Sequence, residues 1–169
     1  TGLIGRELGK SLAARGDTLV CLVRNAQSAR LRLPFPATCF EWDHQRAVPA
    51  EALPGVDAIV HLAGEPVAEK RWTNEQKRLI LESRMLGTRR LVQAVLSHGT
   101  DVKSFVHGSA IGFYGDSGDA KMSAASAKGT GFLADVVEAW EAELRPLTEG
   151  RPDVRAAIVR TGIVLARQG

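Results

Sequence analysis

Hydrophobic residues near the start of the chain recur with the period of a helix. Ile4, Leu8 and Leu12 are four residues apart, so they fall on one side of a helix. Gly16 follows at the position where a left-handed C-terminal cap stands. This pattern predicts a helix over residues 3–15.

Short apolar runs bounded by Gly, Pro and charged residues predict several strands beyond this helix. A long helix with one apolar and one charged side is expected to begin after a cap at Thr73 or Asn74. The pattern predicts strands at residues 18–23, 38–42, 57–63, 103–109 and 154–165 (the last bending at Gly162), helices at about 73–97 and 132–145, and a Gly- and Ser-rich loop at 115–131.

Strands that alternate with helices in units of about 30 residues pair in parallel through right-handed crossovers. The predicted fold is therefore α/β, a doubly wound (Rossmann-type) parallel sheet with helices on both faces. Ligands of such sheets bind beyond the carboxyl ends of the strands. The loops after Val23, Ala63, Ser109 and Thr161 are accordingly the places where functional residues are expected.

Composition limits the class of protein further. The 169 residues are 44% hydrophobic and 24% charged, which suits one globular domain. The net charge of +3 comes from basic residues interspersed with acidic ones, so we expect no nucleic-acid partner. No apolar run is long enough to span a bilayer, so we expect no membrane association.

The cysteines and histidines give no sign of a metal site. Cys21 and Cys39 lie in short apolar stretches, where reduced thiols behave as small hydrophobic groups. A cytoplasmic location fits such thiols. The four histidines have no spacing typical of metal ligands, so we expect them to be structural and expect no metal.

The opening segment resembles the end of a phosphate-binding loop. Thr1, Gly2, Leu3, Ile4 and Gly5 lead directly into the first predicted helix, with the glycines at the spacing of the last two in GxxGxxG. Glycine allows the backbone to approach a pyrophosphate at a helix N-terminus, where free N–H groups favour an anion. Gly5 would also let the helix pack closely on the sheet. The alternative is an ordinary helix start after a glycine.

Arg24 ends the next predicted strand, where NAD-selective sites place Asp or Glu to receive the ribose hydroxyls. An arginine there would instead meet a 2′-phosphate. The sequence therefore favours NADP(H) over NAD(H), the alternative being an exposed arginine at a strand end.

Together these residues resemble the extended short-chain dehydrogenase/reductases, and in particular the atypical branch of epimerase-family, sugar-nucleotide-epimerase-like proteins. The resemblance extends over essentially the whole chain. It rests on TGLIG, Val23-Arg24-Asn25, Leu62-Ala63-Gly64-Glu65-Pro66, Lys70-Arg71-Trp72-Thr73, Ser83-Arg84 with Gly87-Thr88, Gly108-Ser109-Ala110 through Tyr114-Gly115-Asp116, and Arg160-Thr161-Gly162.

The resemblance implies further cofactor-binding residues. Leu62, Ala63 and Gly64 would form the turn under the adenosine and pyrophosphate, Arg84 would face the cofactor from the long helix, and Val164 would lie near the nicotinamide. An ordinary strand end, a solvated helix arginine and a core valine are the respective alternatives.

The resemblance also assigns the reaction chemistry. Hydride-transferring relatives use Ser or Thr followed by Tyr-x-x-x-Lys, in which the lysine assists proton exchange by the tyrosine. Ser109 fits the first role, but Phe132 and Val136 stand where Tyr and Lys are expected. The chain's only tyrosine, Tyr114, either lines the substrate pocket or is a packing residue.

The sequence therefore predicts an NADP(H)-binding oxidoreductase or epimerase-like protein acting on a sugar nucleotide or another small carbonyl or hydroxyl substrate. A non-catalytic NADP(H)-binding sensor is the alternative. We expect residues 1–169 to form a single Rossmann domain that lacks its central first strand and a C-terminal substrate lobe.

Overall fold

The computed structural model describes residues 2–166, in which helices and parallel strands alternate. Every predicted strand and helix is present, with its ends shifted by a few residues at most sites. The helices are α1 (Leu3–Arg15), α2 (Ala26–Arg32), α3 (Asn74–His98), α4 (Phe132–Ala142) and α5 (Arg145–Gly150); the strands are β1 (Val20–Val23), β2 (Thr38–Glu41), β3 (Ala58–His61), β4 (Ser104–Ala110) and β5 (Arg155–Thr161); short 3₁₀ turns span Ala50–Ala52 and Ile111–Tyr114.

The strands form two parallel sheets. β1 pairs with β2, with Val20 opposite Thr38, and the second sheet has the order β3-β4-β5. Within residues 2–166, no hydrogen-bonded ladder joins β1 to β3. The α/β doubly wound fold class is confirmed.

The helix ends follow from their capping residues. Gly16 ends α1 with φ 95°, and its N–H donates to the carbonyl of Ala13, as the sequence predicts for a left-handed cap. At the start of α3, Thr73 Oγ1 accepts a hydrogen bond of 3.1 Å from the backbone N–H of Gln76. Of the two predicted caps, Thr73 is the one that the structure uses.

The main core lies between α3 and the three-stranded sheet. Leu91 and Val95 of α3, Phe105 of β4 and Leu147 of α5 are buried in one cluster. Burying a side chain of this size stabilises the fold by about 1.5–3 kcal/mol. The position of α3, which carries Ser83 and Arg84, is therefore fixed by the core.

β5 is shorter than predicted. The sequence predicts a strand to residue 165, whereas β5 ends at Thr161, whose partner Ala110 is the last residue of β4. Because β4 ends at Ala110, residues 162–165 have no neighbouring strand to pair with and lie outside the sheet. Val164 consequently lies outside the strand and is half exposed.

Two short helices were not predicted. Asn25 caps α2, since its Oδ1 accepts a 2.7 Å hydrogen bond from the N–H of Ser28. The predicted helix over 132–145 instead ends at Ala142, and α5 begins at Arg145 with Pro146 in its first turn. Proline suits a first helical turn but not a helix interior, so it separates the two helices.

Candidate functional site

The predicted site residues gather at one edge of the fold, because the carboxyl ends of parallel strands lie together. Arg24 follows β1, residues 62–64 follow β3, Ser109 lies in the last part of β4, and Tyr114 ends the 3₁₀ turn after β4. These residues therefore follow or end the strands at which the sequence predicts function.

The start of α1 has no side-chain cap. Gly2 is the N-cap in extended conformation (φ −74°, ψ 173°), and no side chain accepts from the first-turn N–H groups. Such a helix end suits an anion. Leu3 is half-buried and Ile4 is 40% exposed, whereas Thr1 lies outside the described residues.

The described residues provide no close neighbour for Gly5. A Cβ built on Gly5 would meet no described atom within 4 Å, so its packing against the sheet stays a prediction. Gly9 is the closely packed glycine, because a Cβ there would lie 2.1 Å from Cζ of Phe35. Open space at Gly2 and Gly5 leaves the backbone accessible to a ligand.

Arg24 is exposed at the end of β1 and lies near the loop after β3. The pKa of Glu65 is held below its usual range mainly by the hydrogen bond from Lys70, and the charge of Arg24 makes a smaller contribution. Within residues 2–166, Arg24 forms no ion pair. Its guanidinium is thus available at the edge of the site.

The turn after β3 is held by two neighbouring residues of α3. Ser83 Oγ accepts a 3.0 Å hydrogen bond from the N–H of Glu65, and Arg84 Nη1 donates at 2.9 Å to the carbonyl of the same residue. A Cβ on Gly64 would lie only 3.1 Å from Cζ of Arg84. Glycine therefore lets the guanidinium approach the turn closely, and a larger residue would shift it by a few tenths of an ångström.

Arg84 lies between this turn and α4. Its Cζ is 5.2 Å from the ring centroid of Trp140, a cation–π contact, and its Nη1 also donates to the carbonyl of Ile80. Burial lowers the pKa of Arg84, and Glu65 offsets part of this effect. Arg84 thus has a structural role in the turn, beside the cofactor contact that the resemblance implies.

Ser109 and Tyr114 are brought together by a pair that the sequence did not identify as functional. Ser109 Oγ donates a 2.5 Å hydrogen bond to Glu141 Oε1, and Glu141 is held by Arg160 through two contacts of 2.8 Å. Arg160 Nη1 in turn donates at 3.0 Å to Tyr114 Oη. Four side chains from β4, the 3₁₀ turn, α4 and β5 therefore form one network.

The network is largely shielded from solvent. The side chains of Glu141 and Arg160 are 12% and 19% exposed, and the Arg160 guanidinium lies 3.4 Å from the ring centroid of Phe113. Burial raises the pKa of Glu141, but hydrogen bonds from Arg160 and Ser109 outweigh it and hold the pKa below its usual range. Glu141 is consequently an ionised acceptor at neutral pH. An open cavity of about 380 Å³ adjoins the pair.

Phe132 and Val136 lie on α4, the helix that also carries Glu141. The ring of Phe132 contacts Trp72 edge-on at 5.4 Å between centroids, and Lys77 Nζ lies 5.4 Å from the Phe132 centroid. Val136 is buried in the core. Neither side chain can exchange a proton.

Among residues 2–166, no group of three or more His, Cys, Asp or Glu side chains is placed to hold a metal ion. None of the helices described is both long and apolar enough to cross a membrane.

Comparison with known proteins places this geometry in a family. A family model described as the NAD dependent epimerase/dehydratase family matches residues 1–131. The chain belongs to this family. An epimerase family protein of Mycobacterium bovis is 34% identical over 169 residues, which are 100% of this chain and 53% of that protein. The human epimerase family protein SDR39U1 is 30% identical over 172 residues, with 100% and 54% covered.

Solved structures of family members share the fold. A nucleoside-diphosphate sugar epimerase from Corynebacterium glutamicum superposes with a TM-score of 0.81 at 35% identity, covering 99% of this chain and 33% of that one. Human SDR39U1, solved with NADPH, gives a TM-score of 0.74 at 29% identity, with 99% and 53% covered. The chain spans about half the length of the curated relatives it matches.

Sequence reasoning placed Arg160 in a family motif but gave neither Arg160 nor Glu141 a role. They are 19 residues apart on different elements, so no local pattern joins them. The available signal was a charged residue inside an apolar strand, since Arg160 interrupts β5 and such a charge requires a partner when it is buried.

Proposed function

We propose that the protein containing this chain binds NADP(H) and acts as an oxidoreductase or epimerase-like protein on a sugar nucleotide or another small carbonyl or hydroxyl substrate. The observation that carries the proposal is the uncapped start of α1 at Gly2, with exposed Arg24 after the next strand along the chain and the network of Ser109 at the end of β4. These features supply an anion site, a cation and hydroxyl groups.

The cofactor would be held by the start of α1, by Arg24 and by the turn at Gly64. The N–H groups of α1 and the open backbone at Gly2 and Gly5 suit a pyrophosphate. Exposed Arg24 suits a 2′-phosphate, which favours NADP(H) over NAD(H). The human relative was solved with NADPH, which supports this preference. Leu62, Ala63, Arg84 and Val164 would complete the site, as the resemblance implies.

Ser109 would orient the reacting group of the substrate, and Tyr114 would contact it. The bound nicotinamide would accept or supply the hydride. The resemblance aligns Phe132 and Val136 with the Tyr and Lys of hydride-transferring family members, so we expect the usual proton-transferring pair to be missing from α4. Proton transfer to or from the substrate is therefore expected to use groups other than a Tyr and Lys of α4.

The same two residues favour a second candidate, a non-catalytic NADP(H)-binding sensor. A protein that only senses the cofactor requires the phosphate site but no proton exchange. Phe132 packs against Trp72 and Val136 is buried, so both have structural roles that need no catalysis.

The two candidates separate in one set of assays on the full-length protein. NADPH oxidation is followed with sugar nucleotides and small carbonyl compounds, and NADPH affinity is measured by titration. The enzyme predicts turnover that Ser109→Ala reduces by about 100-fold or more, whereas Ser104→Ala, at the other end of β4, leaves it unchanged. Tight binding without any turnover would favour the sensor.

We also propose a reducing, cytoplasmic location. Cys21 and Cys39 lie directly opposite one another on β1 and β2, and both are free thiols. Paired strands that keep neighbouring cysteines reduced suit a compartment where disulfides are rare. Detection of the full-length protein in a cytoplasmic fraction would support this location.

A further inference from the structure

The Ser109 hydroxyl donates its proton in a hydrogen bond within the protein. A serine has a single donor, and here it is directed at Glu141 Oε1. Glu141 accepts two further hydrogen bonds from Arg160 and is ionised, so it has no proton to return. Ser109 Oγ can therefore offer only its lone pairs to a substrate.

Tyr114 has the opposite hydrogen-bonding role: its oxygen is an acceptor within the protein, and its proton is left to donate. Its oxygen already accepts a hydrogen bond from Arg160 Nη1. Among the hydrogen bonds of residues 2–166, none uses the Tyr114 O–H as a donor. The phenol proton is thus available to a substrate oxygen.

A substrate hydroxyl complements this arrangement better than a carbonyl does. A hydroxyl can donate to Ser109, whereas a carbonyl has no proton to donate and would bring its lone pairs against those of Ser109. The Tyr114 proton is available to a substrate oxygen of either kind. The ion pair of Glu141 and Arg160 is neutral overall, so discrimination would rest on hydrogen-bond polarity.

We infer that Glu141 and Arg160 are positioning residues that fix Ser109 as an acceptor and Tyr114 as a donor, so that the site binds the hydroxyl form of its substrate in preference to the carbonyl form. This inference rests on the proposed function, since it concerns the substrate of the same site.

The polarity of Ser109 can be measured without any ligand. In full-length protein labelled with ¹³C-glutamate, the Glu141 carboxyl signal is assigned with Glu141→Gln and titrated by NMR. Arg160 and His107 are the other groups whose charges act on Glu141, and both remain in Ser109→Ala. Removing a hydrogen bond donated by Ser109 must raise the pKa of Glu141, whereas Ser104→Ala must leave it unchanged. An unchanged or lower pKa in Ser109→Ala would overturn the inference.

Substrate preference is measured with each sugar nucleotide in the presence of the redox form of the cofactor with which it cannot react. UDP-glucose is titrated against the protein–NADPH complex, and UDP-4-keto-6-deoxyglucose against the protein–NADP⁺ complex, by calorimetry. We expect UDP-glucose to bind more tightly, and Glu141→Gln to shift the ratio of the two Kd values by about tenfold toward the keto sugar, as loss of one hydrogen bond implies. Glu138→Gln, one turn earlier on α4 and paired with Lys128, should leave the ratio unchanged.

The outcomes separate the inference from the proposed function. Equal ratios in Glu141→Gln and wild type, or binding of neither sugar by a protein that binds NADPH, would overturn the inferred substrate preference. Failure of the wild-type protein to bind NADPH would instead overturn the proposed function, and the NMR titration would still decide the polarity of Ser109.

Discussion

His61 and His107 stack face to face on neighbouring strands, with ring centroids 5.7 Å apart and planes 7° from parallel. Residue pairing between β3 and β4 places them directly opposite one another. Both side chains are buried, and the Nε2 of His61 and the Nδ1 of His107 have no hydrogen-bond partner among the described atoms. The pair is therefore stable only while both rings are neutral.

This pair predicts loss of stability in acid. Burial, with a smaller effect from His107, lowers the pKa of His61 to about 3. Between about pH 6.5 and pH 3 the unfolded chain binds a proton that the folded chain excludes, so the free energy of unfolding falls as pH decreases, by at most about 1.4 kcal/mol per pH unit for each histidine. Thermal melts from pH 7.5 to 4.5 should show this slope.

The matched variants for this test are His61→Gln and His98→Gln. His98 is exposed at the end of α3, so its replacement should keep the wild-type pH slope. His61→Gln should flatten the slope. Identical slopes in all three proteins would contradict the account of the buried pair.

Close packing at Gly9 predicts a selective loss of stability. Because a Cβ there would lie 2.1 Å from Phe35, Gly9→Ala must displace the aromatic ring and should cost about 1–3 kcal/mol in denaturant unfolding. The double variant Gly9→Ala/Phe35→Leu should recover part of this loss. Equal stability of Gly9→Ala and wild type would show that α1 does not pack in this way.

Alanine at Gly2 or Gly5 is expected to weaken NADPH binding without the loss of stability expected for Gly9→Ala. Neither position has a described atom within 4 Å of a built Cβ, and Gly2 has a negative φ, so alanine should leave the melting temperature nearly unchanged. If the backbone here receives a pyrophosphate, Gly2→Ala and Gly5→Ala should weaken NADPH binding by about tenfold or more. Unchanged NADPH affinity in both variants would rule out the phosphate loop.

Gly129 holds the end of the loop over residues 115–131 against Tyr114. Its N–H donates at 3.0 Å to the carbonyl of Phe113, and a Cβ would lie 2.0 Å from the carbonyl oxygen of Tyr114. Since both contacts are with backbone, Gly129→Ala should displace Tyr114 and lower the melting temperature. Gly118→Ala in the same loop meets no neighbour but has a φ of +54°, so it should show only the smaller cost of that conformation, about 1 kcal/mol.

Local sequence rules predicted the fold where one element could be interpreted by itself. The helix over residues 3–15 and its cap at Gly16 follow from spacing and glycine chemistry alone, and the structure has the same bounds. The short helices α2 and α5 were missed, although Asn25 and Pro146 carry their start signals, because six or seven residues give too little periodicity. The end of β5 depends on where β4 stops, which is a tertiary property.

The candidate site was predicted only in part for a related physical reason. Ser109 and Tyr114 could be selected from motifs near a strand end, but the residues that connect them could not. Glu141 faces Arg160 only because α4 packs beside β4, and β5 pairs with β4. Such partners are set by packing between elements and leave no short-range pattern.

The most direct test of the proposed function is a titration of the full-length protein with NADPH and with NADH. We predict saturable NADPH binding that is at least about tenfold tighter than NADH binding, as an arginine contact to the 2′-phosphate implies. Arg24→Gln should abolish this difference, whereas Arg32→Gln, at the exposed end of α2, should keep it. Absence of saturable NADPH binding to the wild-type protein would contradict the account.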